Sequence, residues 1–186
     1  MRASDDRYRG EQAKFELAMR MIGLEGRTGT IRYWTGLSDD RIRKLYSSYF
    51  KYSGQSVRRR RGRSPTQVGP LVRNANRALE SGVLANLLLA NGLVSWDNLG
   101  EPPLRHNIDL GHRFCECFET YRLLVPRPLL SFEWSWNLLN NMRRGEELGI
   151  TRCAACAICY VTDLLSLPRP SCPGCALMEP RQSGVS

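Results

Sequence analysis

A chain of 186 residues, 42% of them hydrophobic, is long enough to bury one sizeable core with a small appendage and too short for a string of independent domains. A formal net charge of +9 and a pI near 9.5 point to polyanionic partners, nucleic acid before an anionic membrane surface, with solubility as the plain alternative. No apolar run approaches a membrane span and Met1 to Gly10 is charged and polar, so no membrane partner or secretory leader is expected. The expected location is a reducing cytoplasm, where disulfides are rare. Of the 27 basic residues only Lys14, Lys44 and Lys51 are lysines. Arginine's planar fork matches phosphates and guanine edges, although a genome of biased base composition would enrich arginine too.

In chain order the pattern is mostly helical. Leu17, Ala18, Met21, Ile22 and Leu24 recur at helical spacing and predict an amphipathic helix over 13–24. A short second helix is predicted over 27–34, then a turn over 35–38. Ser38 suits an N-cap, with Asp39 and Asp40 in the first turn of a third helix. There Ile42, Leu45, Tyr46 and Tyr49 share one face, and Arg41, Arg43, Lys44 and Ser48 lie off it. Helix, glycine turn and capped helix, with Ile31, Leu37 and Ile42 around the turn, fit a helix-turn-helix, in which Arg41, Arg43 and Lys44 would reach DNA. Any antiparallel pair of amphipathic helices could produce the same pattern, and two aspartates at the helix start count against close approach to phosphates.

Residues 51–70 form a break rich in Gly, Ser and Pro that carries Arg58, Arg59, Arg60, Arg61 and Arg63 without an acid. Such a run repels itself and predicts a mobile, exposed loop. On duplex DNA it would release counterions and give salt-sensitive, sequence-blind affinity; otherwise it is a solvated linker. Val68, Leu71, Val72, Ala75, Ala78 and Leu79 begin one further stripe, continued by Val83, Leu84, Leu87 and Leu88 to Gly92, with Arg73 beside it as a further candidate DNA contact. A loop is expected over 96–103. Leu110, Phe114, Phe118 and Tyr121 mark a helix ending before Pro126. Phe132, Trp136, Leu138, Leu139 and Met142 mark the last one. These stripes are most simply core.

Near the C-terminus Cys153-Ala-Ala-Cys156 and Cys172-Pro-Gly-Cys175 stand fifteen residues apart. Each Cys-x-x-Cys turn aims two thiolates at one point, and two such knuckles close a tetrahedron around one structural Zn2+ with no open coordination position. Pro173 and Gly174 suit a tight turn. Disulfides or buried thiols are the bland alternatives. Cys159 is read as a spare. Cys115 and Cys117 diverge by about 200° on a helix, so core cysteines are expected there. The fold class is therefore mainly α: a helical body over 1–150 with a helix-turn-helix-like N-terminal part, a four-cysteine zinc-ribbon-like module over 151–177, and a disordered tail over 178–186.

Four stretches together resemble the FlhC family, the zinc-containing subunit of the bacterial flagellar master activator: Glu16 to Gly26, Gly36 to Tyr46, Arg127 to Leu130 leading to Trp136, and the four cysteines with Tyr160 to Thr162 between the knuckles. The resemblance spans Ala13 to Leu177 in consistent order. It implies a mostly helical DNA-binding protein, acting in a hetero-oligomer with an FlhD-type subunit on promoter DNA upstream of flagellar operons and recruiting RNA polymerase, with Cys153, Cys156, Cys172 and Cys175 as zinc ligands. Between Lys51 and Asn91 the family usually has a Pro-rich loop and an aromatic-rich segment, where this chain has the arginine run and Arg73 to Leu79. Target sequence and partner choice are therefore open to difference.

Two other classes fit the residues: a zinc-containing RNA-binding protein, for which no strand-borne aromatic platform is evident, and a protein adaptor. No enzyme and no small-molecule substrate are expected. His106 and His112 sit in no nucleophile or open-metal pattern, and no phosphate-binding glycine loop occurs.

Overall fold

The computed structural model describes residues 3–51, 57–95, 105–167 and 169–178. The loop expected over 96–103, positions 52–56 of the basic break and the tail from 179 onward lie outside the described residues.

Helix α1, Ala3–Gly23, starts ten residues before the predicted one. Arg7 to Gly10 are exposed, so the first turns carry no apolar stripe and extend by propagation from the packed part. Leu17, Ala18, Met21 and Ile22 are buried as the periodicity requires. Helix α2, Thr28–Thr35, stops at Gly36, whose φ of 70° needs a residue without Cβ strain and whose N–H donates to Arg32 O. Helix α3, Asp39–Leu45, begins where the Ser38 hydroxyl accepts from Arg41 N at 3.4 Å. Ile31, Leu37 and Ile42 lie in the buried cluster, so the two helices are packed together across the glycine turn.

From Tyr46 to Phe50 the chain runs on as a π-helical turn, closed by Lys51 N–H on Tyr46 O at 3.1 Å. The wider turn changes the angular advance per residue. Tyr49, predicted on the buried face, is 59% exposed, and Phe50 turns inward to stack on Tyr46 at 6.4 Å.

The single stripe predicted over 68–88 is two helices, α4 (Gly69–Val72) and α5 (Ala75–Ala90). Asn74 separates them, accepting from Asn76 N at 3.0 Å and Arg77 N at 3.2 Å as a new N-cap. The break resets the phase. Leu79, predicted inside, faces out, and Glu80 is buried. Glu80 accepts from the Tyr121 hydroxyl and from Leu129 N at 2.8 Å.

Helices α6 (Ile108–Leu124) and α7 (Phe132–Arg144) follow the predicted patterns. Gly111 lets α6 approach α1: a Cβ there would lie 2.5 Å from Leu17 Cδ2. An aromatic cluster joins α2, α6 and α7. Trp34 stacks on Phe114 at 5.9 Å and meets the edge of Trp136 at 5.4 Å, while Phe114 lies 5.0 Å from Phe132. Cys115 and Cys117 are buried in this core, as expected.

Strands β1 (Leu148–Arg152) and β2 (Cys159–Asp163) pair antiparallel, Leu148 opposite Asp163 and Arg152 opposite Cys159. A short helix, α8 (Pro173–Met178), ends the described chain. Leu148, Ile150 and Val161 belong to the same buried cluster as the helices, so the division drawn at residue 150 falls inside β1 and inside continuous packing. Among the described residues no helix is long and apolar enough to cross a membrane.

Candidate metal centre and nucleic-acid interface

The β1–β2 hairpin carries the first knuckle at its tip. Cys153 N donates to Ile158 O at 2.9 Å and Ala157 N to Cys153 O at 2.9 Å, folding the loop back with Ala157 at φ 60°. The second knuckle opens α8. All four Sγ atoms of Cys153, Cys156, Cys172 and Cys175 lie within 4.8 Å of one another. Cys153 and Cys175 are 3.9 Å apart, Cys156 and Cys172 3.7 Å. A tetrahedron with metal–sulfur bonds near ~2.3 Å has edges of about 3.8 Å, so the cluster already has the dimensions a metal ion needs. Cys159, the spare, lies outside it.

The backbone prepares the sulfurs for negative charge. Cys172 N donates to Cys153 Sγ at 3.2 Å and Cys175 N to Cys172 Sγ at 3.4 Å. The Cys172 N–H, with that of Cys156, holds the Cys153 thiol down at about 6. Hydrogen bonding to the Cys156 and Cys172 sulfurs pushes Cys175 up to about 12. Four thiolates repel one another, and a bound dication removes that repulsion and lets all the protons leave. The cluster can hold a metal and offers it no open position for substrate.

The hairpin is fixed to the body mainly through α5. Asn86 Nδ2 donates to Cys159 O at 2.6 Å and to Gly82 O at 2.7 Å. Gly82 faces Tyr160, whose Cβ lies 3.9 Å from where a Gly82 Cβ would stand, an ordinary packing distance. Asn86 was not singled out in the sequence, because nothing local distinguishes it from any other half-buried helix asparagine.

The structure separates the basic residues. Arg41 reaches Glu11 at 2.8 Å and lies over the Phe15 ring at 5.0 Å, so it is turned toward α1. Arg43 pairs with Asp40 on its own helix at 2.8 Å. Lys44 is exposed. Arg73, also exposed, lines a groove of about 890 Å³ with Gln67, Asn74, Arg77, Glu147 and Asp163.

The arginine break differs from the mobile loop predicted, for its described part is attached at both ends. Tyr46 Oη donates to Val57 O at 3.1 Å, Arg59 lies over the Tyr46 ring at 5.6 Å, and Arg60 Nε donates to Glu25 Oε2 at 2.8 Å. At the far end the Ser64 hydroxyl donates to Glu133, Asn137 Nδ2 donates to Gln67 O at 2.8 Å, and Val68 is buried. Glu133 also accepts from Arg27 N at 2.7 Å and Thr30 Oγ1 at 2.9 Å, which accounts for a carboxylate that is only 3% exposed. The partners of these bonds lie far away along the chain, and local pattern gives no sign of them. Arg58, Arg61 and Arg63 are exposed and have no ion-pair partner among the described residues.

No protein-family model matches the sequence, and no curated protein matches it either.

Proposed function

We propose that this chain is the zinc-containing, DNA-binding subunit of an FlhC-type transcriptional activator, non-enzymatic, working in the cytoplasm with an FlhD-type subunit on promoter DNA and recruiting RNA polymerase. The observation that carries the reading is a combination within one packed body. A glycine-turned, capped helix pair, an arginine segment attached beside it and a four-thiol knuckle cluster occur together in a chain of net charge +9. The sequence resemblance to the FlhC family supports the same reading. Zinc is the metal whose preference for four thiolates in a closed tetrahedron best fits the cluster, and its part is to hold the hairpin and α8 together. The flagellar operons are the proposed targets, with the arginine segment as the place where target choice departs from the family.

The test is binding of the zinc-loaded chain, co-purified with the FlhD-type subunit of the same genome, to flagellar promoter DNA and to a scrambled duplex over a range of salt. A promoter preference of about a thousandfold that needs both subunits is the expected result. Equal, steeply salt-dependent binding to both duplexes overturns the promoter assignment.

One observation favours a second reading, a zinc-containing protein adaptor. A groove of about 650 Å³ between α5, the end of α6 and the knuckles is lined by Leu79, Val83, Leu87, Leu124, Ile158 and Pro173. Partner binding with no affinity for either duplex would select that reading.

A further inference from the structure

We propose that the arginine segment over 57–68 is a built phosphate-binding ridge, held in register against the π-helical turn after α3, the α1–α2 connection and α7, and that it grips duplex DNA as a fixed part of the fold. This rests on the nucleic-acid reading above and goes beyond it, because a free polycationic tail would satisfy that reading equally well.

Five arginines in six residues repel one another, so the segment stays against the body only if it is held there. The holding is divided among residues. Arg59 and Arg60 are anchors: one guanidinium lies over the Tyr46 ring and the other is bound by Glu25. Ser64 is pinned by the buried Glu133, which also fixes the start of α2 through Arg27 N and Thr30. Val57 and Gln67 are held through their carbonyls by Tyr46 and Asn137. Arg58, Arg61 and Arg63 are left facing solvent. Gly62, at φ 93°, turns the chain between Arg61 and Arg63 and brings Arg27 Nη1 to 4.0 Å from where its Cβ would be. The Arg27 Nε is buried and without a hydrogen-bond partner among the described residues. Three exposed guanidiniums therefore stand along one anchored segment with Arg27 beside it, and the ordering cost of its backbone is met in folding and not on binding. A regular polyanion fits this arrangement.

The double variant Ser64→Ala/Tyr46→Phe cuts two anchors without changing a charge. We expect its affinity for a 30-base-pair duplex, measured with the partner subunit present, to fall about tenfold at every salt concentration. The slope of log K against log salt should stay that of the parent, since the same cations meet the same phosphates. Amide exchange over 57–68 should quicken in the same variant. Arg61→Ala or Arg63→Ala should instead lower the slope by about one. Arg60 lies on the surface, so Arg60→Ala tests an anchor even if the double variant folds poorly, and it should weaken binding with the slope kept. Unchanged affinity in the loosened variants, or rapid exchange over 57–68 in the parent protein, overturns the ridge. Slow exchange in a parent protein that binds no duplex overturns the nucleic-acid reading itself, and with it the ridge's ligand.

Discussion

Single buried polar residues carry much of this fold's specificity. The Tyr121 hydroxyl donates to Glu80 and accepts from Leu130 N at 3.2 Å, which closes the α6–α7 connection over α5. Burial and the neighbouring carboxylate push the Tyr121 hydroxyl's pKa upward, so it remains a donor. Tyr121→Phe leaves the Leu130 N–H without its acceptor and removes one donor from Glu80. The expected loss is about 1–3 kcal/mol, read as a lower denaturant midpoint at constant m-value. The cysteines divide by the same logic of burial. Cys115 and Cys117 are pushed up to about 12 by desolvation, whereas Cys156 is exposed and Cys159 half-buried. A thiol reagent added after metal removal should modify Cys156, Cys159 and Cys175 first, reach the buried Cys153 and Cys172 as the knuckles open, and reach Cys115 and Cys117 only on unfolding; early modification of the core pair would contradict their placement. The four knuckle cysteines were legible in the sequence because the spacing itself encodes convergence on one point. Glu133, Asn86 and Arg27 were not, because each is defined by a partner far away along the chain.

Among elements, the helices were legible where one periodic stripe ran without interruption, as in α6 and α7, and misread where the phase changed. A regular pitch through α3 predicts Tyr49 inside, and the π-helical turn moves it out. A single helix over 68–88 predicts Leu79 inside, and the break at Asn74 turns it out. The missed signal was Asn74, a strong N-cap residue in the middle of the stripe. Asn74→Ala should therefore cost about 0.5–2 kcal/mol by leaving Asn76 N and Arg77 N without their acceptor. Fraying of the first turn of α5 should appear as faster amide exchange at 76–78, with the body otherwise unchanged. The β-hairpin lacked a sequence signal of its own, since β1 is short and its glycine weakens the strand pattern. A Cβ at Gly149 would stand 2.7 Å from Leu164 Cδ2, the end of a half-exposed side chain that can swing away.

At the scale of the whole molecule, the metal cluster and the helical core are parts of one packing unit, and this decides what metal loss does. A zinc module joined by a linker would unravel alone and leave the body's stability untouched. Here β1 and β2 place Leu148, Ile150 and Val161 in the core that contains Trp34 and Phe114, and Asn86 bonds α5 to the strand that follows the first knuckle. A bound metal stabilises the folded cluster over the unfolded chain, and its loss is felt wherever the cluster's strands pack. Cys172→Ser, or a strong chelator, should therefore abolish metal binding and also lower the melting temperature of the helical body, with one cooperative transition before and after. Calorimetry and far-ultraviolet circular dichroism on the same samples check this. A metal-free protein that melts in two steps, the upper one at the original temperature, would show that the hairpin is an independent appendage. Asn86→Ala sharpens the test. It cuts a bond between hairpin and body without touching a cysteine of the cluster, so the metal content should match the parent's while the body's transition falls. If the Asn86 variant melts as the parent does, the coupling runs through the apolar contacts of Leu148, Ile150 and Val161 alone.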